Sequence, residues 1–200
     1  MGGKSEPTGA RLLDIATDHV RKHGLERTSV VSVAREAQVS HAAVYRYFAS
    51  KDALIDAVTA DWHKAVETQL AVVADAPDPA DDKLERMMLL LARLYRERLD
   101  QEPNLYAAWL SAIGENRAVV RKHRRRIRSL IERVVDEGRS IELFRARSNE
   151  RLIAFLGDAL HRFIDPAAIA ADRDANRLEL DQRLARLLRV VIRAMVAGSV

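Results

Sequence analysis

Residues 39–54 read "VSHAAVYRYFASKDAL". Ser40 stands where a helix can begin, Tyr45, Tyr47 and Phe48 fall close together, and Ser50-Lys51 opens a further segment. Aromatic residues make up only 5% of the chain, so their concentration here asks for a reason. In a helix started by Ser40, Val44 and Phe48 are four apart and share a face. His41, Ala42 and Tyr45 fall on another face, near the helix start. Small Ala42 and Ala43 let such a helix sit deep in a DNA major groove, about 12 Å wide. Tyr45 and Tyr47 then keep their hydroxyls for phosphate oxygens or base edges, and Lys51 reaches the same backbone. The same residues also suit a small aromatic core, and the stretch alone leaves both readings open.

Working outward, the pattern is helical throughout. Over 11–21, Leu12, Ile15, Ala16 and Val20 follow a 3.6-residue period, and Gly24 supplies a stop. Thr28 or Ser29 caps a short helix holding Val30, Val33, Ala34 and Ala37, and a tight break at Gln38-Val39 precedes Ser40. A hydroxyl and open amides at that first cap can hold a backbone phosphate. Two short helices behind a supporting one form a helix-turn-helix over about 29–48. Ser50 caps a longer helix to about 73. "ADAPDPADD" (74–82) reads as a loop, and helices are expected at about 83–99, 104–115, 117–137, 149–163 and 176–197. Pro103 starts one of these, while Gly138 and Pro166 read as terminators. No alternating strand pattern and no internal repeat occur. The expectation is an all-α chain of about nine helices, with a short tail (1–9), a reading head (10–56) and a C-terminal helical bundle (57–200).

Bulk properties narrow the function. The chain has no cysteine, which excludes disulfides, thiolate metal sites and a cysteine nucleophile. No run approaches the ~18 apolar residues of a membrane helix, and the polar start lacks a signal core. The expected setting is the cytoplasm. Residues 1–52 carry 8 Lys/Arg against 6 Asp/Glu, 53–100 carry 6 against 10, and 101–140 carry 9 against 5. A mildly basic head with an acidic middle permits nucleic-acid binding.

The stretch 11–58, "RLLDIATDHVRKHGLERTSVVSVAREAQVSHAAVYRYFASKDALIDAV", resembles the DNA-binding domain of the tetracycline-repressor (TetR) family. The matching marks are Ala16, Gly24, Thr28, Ser29, Val33, Ala34, Ala37, Val39, Ser40, Tyr45, Phe48, Lys51 and Leu54. Gln38 and Ala42 depart from the family's usual glycines; a positive φ at Gln38 costs roughly 1 kcal/mol. The resemblance implies phosphate contacts from Thr28, Ser29, Tyr47 and Lys51. It implies base contacts from Ser40, His41, Ala42 and Tyr45, with His41 setting operator identity.

The resemblance also implies a homodimer paired through its last two helices, and a small-molecule pocket among the middle ones. Two apolar stripes fit a seam: Leu156, Leu160 and Phe163 with Leu152 and Ala159, then Leu184, Leu187, Leu188, Val191 and Met195 with Leu180 and Ile192. Burial of both stripes within one subunit is the competing reading. Candidate pocket residues are Met88, Leu91 and Tyr95, then Tyr106, Trp109 and Ile113, then His123 and Ile127. Each also suits an ordinary core, but Tyr106, Trp109 and His123 carry polar atoms that need partners if buried.

"RKHRRRIR" (121–128) reads as a solvated face pairing with the acidic segment 75–85, rather than as a second DNA contact or the entrance for an anionic ligand. The histidines lack metal-ligand spacing, and no phosphate loop or nucleophile–base motif stands out. No cofactor, no metal and no catalysis are expected. The chain reads as a ligand-responsive regulator, most simply a repressor, on a pseudo-palindromic double-stranded operator. Its rivals are a DNA-binding regulator without a small-molecule ligand, and a helical enzyme or scaffold.

Overall fold

A computed structural model describes residues 8–146 and 148–199. Among them every regular element is α-helical: α1 (Gly9–His23), α2 (Val30–Ala37), α3 (His41–Tyr45), α4 (Lys51–Ala74), α5 (Ala80–Gln101), α6 (Pro103–Gly114), α7 (Ala118–Ser140), α8 (Asn149–Ile164), α9 (Pro166–Ala171) and α10 (Arg177–Ala197). The all-α expectation holds. The element beyond the nine expected is α9, where Pro166 opens a short helix rather than only closing α8. Asp165 caps it by accepting the N–H groups of Ala167 and Ala168.

The chain forms two compact units. One holds residues up to 64 with 100–123, the other 65–99 with 124–200. In the first, α1 buries Leu12, Ala16 and Val20, α2 buries Val30, Val33 and Ala34, and α3 contributes Val44. Gly24 ends α1 at φ 77°. Gln38 ends α2 in the left-handed region at φ 57°, ψ 44°, so the position does adopt the conformation that glycine favours, at a cost of about 1 kcal/mol. Helix α6 packs in the same unit, with Asn104 Nδ2 donating to the Arg21 carbonyl over 2.9 Å. Pro103 occupies its first turn as anticipated.

The second unit is held by α5, α7, α8 and α10. Two boundaries differ from the sequence pattern. Helix α5 starts at Ala80, so Asp81 and Asp82 lie in its first turn, where carboxylates suit the helix dipole. Helix α7 runs through Gly138 to Ser140, so that glycine is not a stop. A Cβ there would lie 2.3 Å from Cδ2 of Phe144, a ring that is itself buried. Glycine is present because the chain after α7 folds back onto its backbone. Lys83, almost fully buried, pairs with Glu137 and points its Nζ at the Ala74 carbonyl at the end of α4.

Replacing Gly138 with Ala should therefore destabilise the protein by about 1–3 kcal/mol, since the Phe144 ring must shift out of a packed site. Thermal unfolding monitored by circular dichroism reads the loss; an unchanged midpoint would show that the ring moves freely.

Candidate nucleic-acid interface and ligand cavity

The head's reading face is set by what its shortest helix buries. Five residues of α3 cannot hold a helix by themselves. Val44 is fully buried and Phe48 nearly so, and each such side chain contributes about 1.5–3 kcal/mol. That anchor turns Ser40, His41, Ala42 and Tyr45 to the surface. Tyr45 is 52% exposed and Tyr47 44%, so neither is a core aromatic. The Tyr47 ring lies against Gly9, where a Cβ would come within 2.9 Å of it. The Arg46 guanidinium stands 5.5 Å from the centre of that ring. Arg46 was not singled out from sequence, although it lies between the two tyrosines. Ser40 Oγ accepts the Ala43 N–H, and Ser50 Oγ accepts the Ala53 N–H, leaving Lys51 exposed in the first turn of α4.

Thr28 departs from its expected role. The cap of α2 is Ser29, whose Oγ accepts the Ser32 N–H while its own N–H donates to Ser32 Oγ. Thr28 is fully buried. Its hydroxyl donates to the Gly24 carbonyl over 2.7 Å and lies 3.1 Å from Nδ1 of His19. It braces the α1–α2 corner and does not face a phosphate. Adjacent Thr and Ser are equally good caps by residue type, and only the fold decides between them.

The second unit contains a cavity of about 340 Å³ between α5, α7 and α8, a volume typical of small-molecule sites. Four of the candidate pocket residues, Met88, Leu91, Tyr95 and Ile127, line it, with Arg124, Arg128, Ile131, Ile153, Leu156, Gly157 and Ile164. The other four candidates do not line it. Tyr106, Trp109, Ile113 and His123 belong to the first unit. There Trp109 meets Tyr106 edge-on at 5.2 Å and His63 at 4.6 Å, and His63 stacks on His123 at 3.8 Å.

The residues expected at a pairing seam are taken up inside the chain. Leu156, Leu160, Phe163, Leu184, Leu188, Val191 and Met195 are all buried within the single chain, leaving only Leu187 half-exposed. Periodicity identifies an apolar face but not which molecule covers it, and here α8 and α10 cover each other. Among the described residues the basic run 121–128 does not pair with 75–85 either. Arg128 pairs with Glu132 on its own helix, while Asp75 takes Arg133 and Asp78 takes Arg86.

The model of the Tetracyclin repressor-like C-terminal domain matches residues 80–194, and that of bacterial regulatory proteins of the tetR family matches 12–58. The chain belongs to the TetR family. It is 33% identical over 89 residues to an HTH-type transcriptional repressor of Mycobacterium tuberculosis, covering 44% of this chain and 46% of that protein. The chain thus spans about half the length of the curated relatives it matches. A protein of unknown function from Rhodococcus sp. RHA1 shares the fold with a TM-score of 0.73 at 19% identity, over 98% of this chain and all of that one. A TetR/AcrR-family regulator from Thermobifida fusca does so at 0.64 and 19%, over 92% of this chain and 96% of that one. No helix among the described residues is long and apolar enough to cross a membrane.

The corner behind this TetR-type head contains a titrating group. Since the Thr28 hydroxyl gives its proton to Gly24, His19 Nδ1 must carry the hydrogen it shares with Thr28 Oγ1, and Nε2 faces Glu36 at 3.9 Å. Burial lowers the His19 pKa below its ordinary 6.5, outweighing the Glu36 carboxylate, which raises it. The unfolded imidazole therefore binds protons more readily than the folded one. The stability tied to His19 is complete above pH 6.5 and is lost as pH falls below that toward the depressed folded value. Thermal midpoints measured from pH 7.5 to 5 should fall less steeply for His19→Asn, which keeps an N–H for Thr28 but cannot titrate. Parallel curves for the two proteins would remove His19 from the acid response.

Proposed function

We propose that the chain is a DNA-binding transcriptional regulator, a repressor whose homodimer holds a pseudo-palindromic operator until a small-molecule effector occupies the cavity between α5, α7 and α8. The observation that carries it is the division of α3. Val44 and Phe48 are buried, while Ser40, His41, Ala42 and Tyr45 stand exposed on a surface free of bulky apolar cover. In this reading Ser29, Tyr47 and Lys51 contact phosphates, and Arg46 joins them. Ser40, His41, Ala42 and Tyr45 face bases in the major groove.

Phosphate and base contacts separate by their sequence dependence. Lys51→Ala should weaken binding to operator and random DNA alike. It should also lower the slope of log affinity against log salt by about one per reading head. His41→Ala should instead change which operator variants are preferred. Fluorescence anisotropy at several salt concentrations, over a panel of single-base operator variants, reads both. An unaltered salt slope for Lys51→Ala would remove its phosphate role.

Two-fold pairing follows from the small number of base pairs one short helix can read. With the two predicted stripes consumed internally, the apolar residues left exposed on α10 are Leu178, in its first turn, and Val190, 62% exposed, which has Leu187, Ala194 and Ala197 at helical spacing around it. We assign the seam to that face. Val190→Asp should convert a dimer to a monomer in light scattering and cost operator affinity, while leaving the circular dichroism spectrum unchanged. A dimer that survives the charge would place the seam elsewhere.

The effector controls DNA only by its difference in affinity for two states of the protein. Helix α7 offers the route, because His123 of the first unit and the cavity-lining Arg124 are successive residues of one unbroken helix.

A further inference from the structure

The cavity walls carry a specific chemical bias. Tyr95 and two arginines are their only polar members, and no carboxylate lines them. Arg128 is engaged by Glu132, with Nε 2.8 Å from Oε1. Among the described residues no hydrogen bond or ion pair engages the Arg124 guanidinium. Arg124 is exposed, so its guanidinium is open to solvent. A ligand body that fills the apolar walls strips water from that cation, which is costly unless the ligand also supplies a counter-charge. A carboxylate answers the guanidinium with charge-assisted, bidentate hydrogen bonds. A neutral body of the same shape leaves the cation partly desolvated, and a cationic one adds repulsion.

We propose that this cavity takes an amphipathic monoanion, a hydrocarbon body between α5, α7 and α8 with its carboxylate on Arg124. The inference rests on the reading of this cavity as the effector site and names the effector's class. About 30 Å³ per water-sized group gives room for on the order of ten non-hydrogen atoms, the size of a medium-chain carboxylate or a compact aryl-alkanoate. Arg128, held by Glu132, contributes a second positive charge at the rim without competing for the head group.

Gly157 provides the control. It lines the cavity, and a Cβ built on it meets nothing within 4 Å. A leucine there grows into empty space, and on a helix it is a better former than glycine. Gly157→Leu should therefore fill the cavity and keep the fold.

The test is calorimetric titration of octanoate and of 1-octanol into the full chain, its Arg124→Gln variant and its Gly157→Leu variant, followed by operator binding in each state. The inference expects octanoate to bind more tightly than octanol. Arg124→Gln should lower octanoate affinity by about tenfold or more while leaving octanol unmoved. Gly157→Leu, with an undiminished thermal midpoint, should abolish both. Equal binding of the two probes, blocked by Gly157→Leu but indifferent to Arg124→Gln, would overturn the anion and leave the cavity as a ligand site. No binding of either probe to the unmodified chain would overturn the inference together with the reading of the cavity. Octanoate bound through Arg124 without any change in operator affinity would uphold the anion site and remove its effector role.

Discussion

The reading head depends on one packing contact, the burial of Val44 and Phe48 beneath a five-residue helix. Isolated helices of that length do not persist in water, because nucleation fixes several residues for a single hydrogen bond. The helix exists because its inner face is pinned, and its outer face is presented for the same reason. Everything proposed for DNA recognition is a consequence: Ser40, His41, Ala42 and Tyr45 are available because their neighbours are not. The corner behind it is braced by a second device, the Thr28 hydroxyl shared between the Gly24 carbonyl and the His19 imidazole.

That division was legible in the sequence because it is local. A serine before a four-residue apolar spacing, a glycine after a periodic run and a lysine behind a serine are each read within a few residues. The caps at Ser29, Ser40 and Ser50 and the stop at Gly24 accordingly fall where the pattern put them. Thr28 was misjudged for a reason of the same scale. Two neighbouring hydroxyls satisfy one cap, and the spare one turned inward to a histidine nine residues away in the chain.

What the pattern could not show is which surface covers an apolar face. The stripes on α8 and α10 have the width and period of a subunit seam, yet they bury against their own chain, and what stays exposed on α10 is Leu178 and the narrower line through Val190. Trp109 and His123 posed the same difficulty. Their polar atoms on apolar faces suggested a ligand cavity, and the fold gathers them into an aromatic cluster around His63 instead. Gly138 was read as punctuation, when its function is to admit the Phe144 ring against the helix backbone. In each case the deciding partner lies on another element, beyond the range of any periodic signal.

The basic run on α7 shows how position changes the meaning of a charge. Six of the eight residues in 121–128 are Lys or Arg, and as a composition they favour a solvated face over a DNA contact or an anion entrance. The fold sets Arg124 and Arg128 at the edge of an apolar cavity, while Lys122, Arg125 and Arg126 remain at the surface. An exposed arginine is worth little to stability, but one at the rim of an apolar cavity acquires selectivity, because its solvation changes when the cavity fills. The adjacent residue on the same helix, His123, stacks on His63 within the first unit, so the ligand proposed for Arg124 would act on a helix that both units share in sequence. On the proposed effector reading, the roughly 1–3 kcal/mol typical of allosteric coupling would be the difference in ligand affinity between states of the protein with the Arg124 charge answered and unanswered.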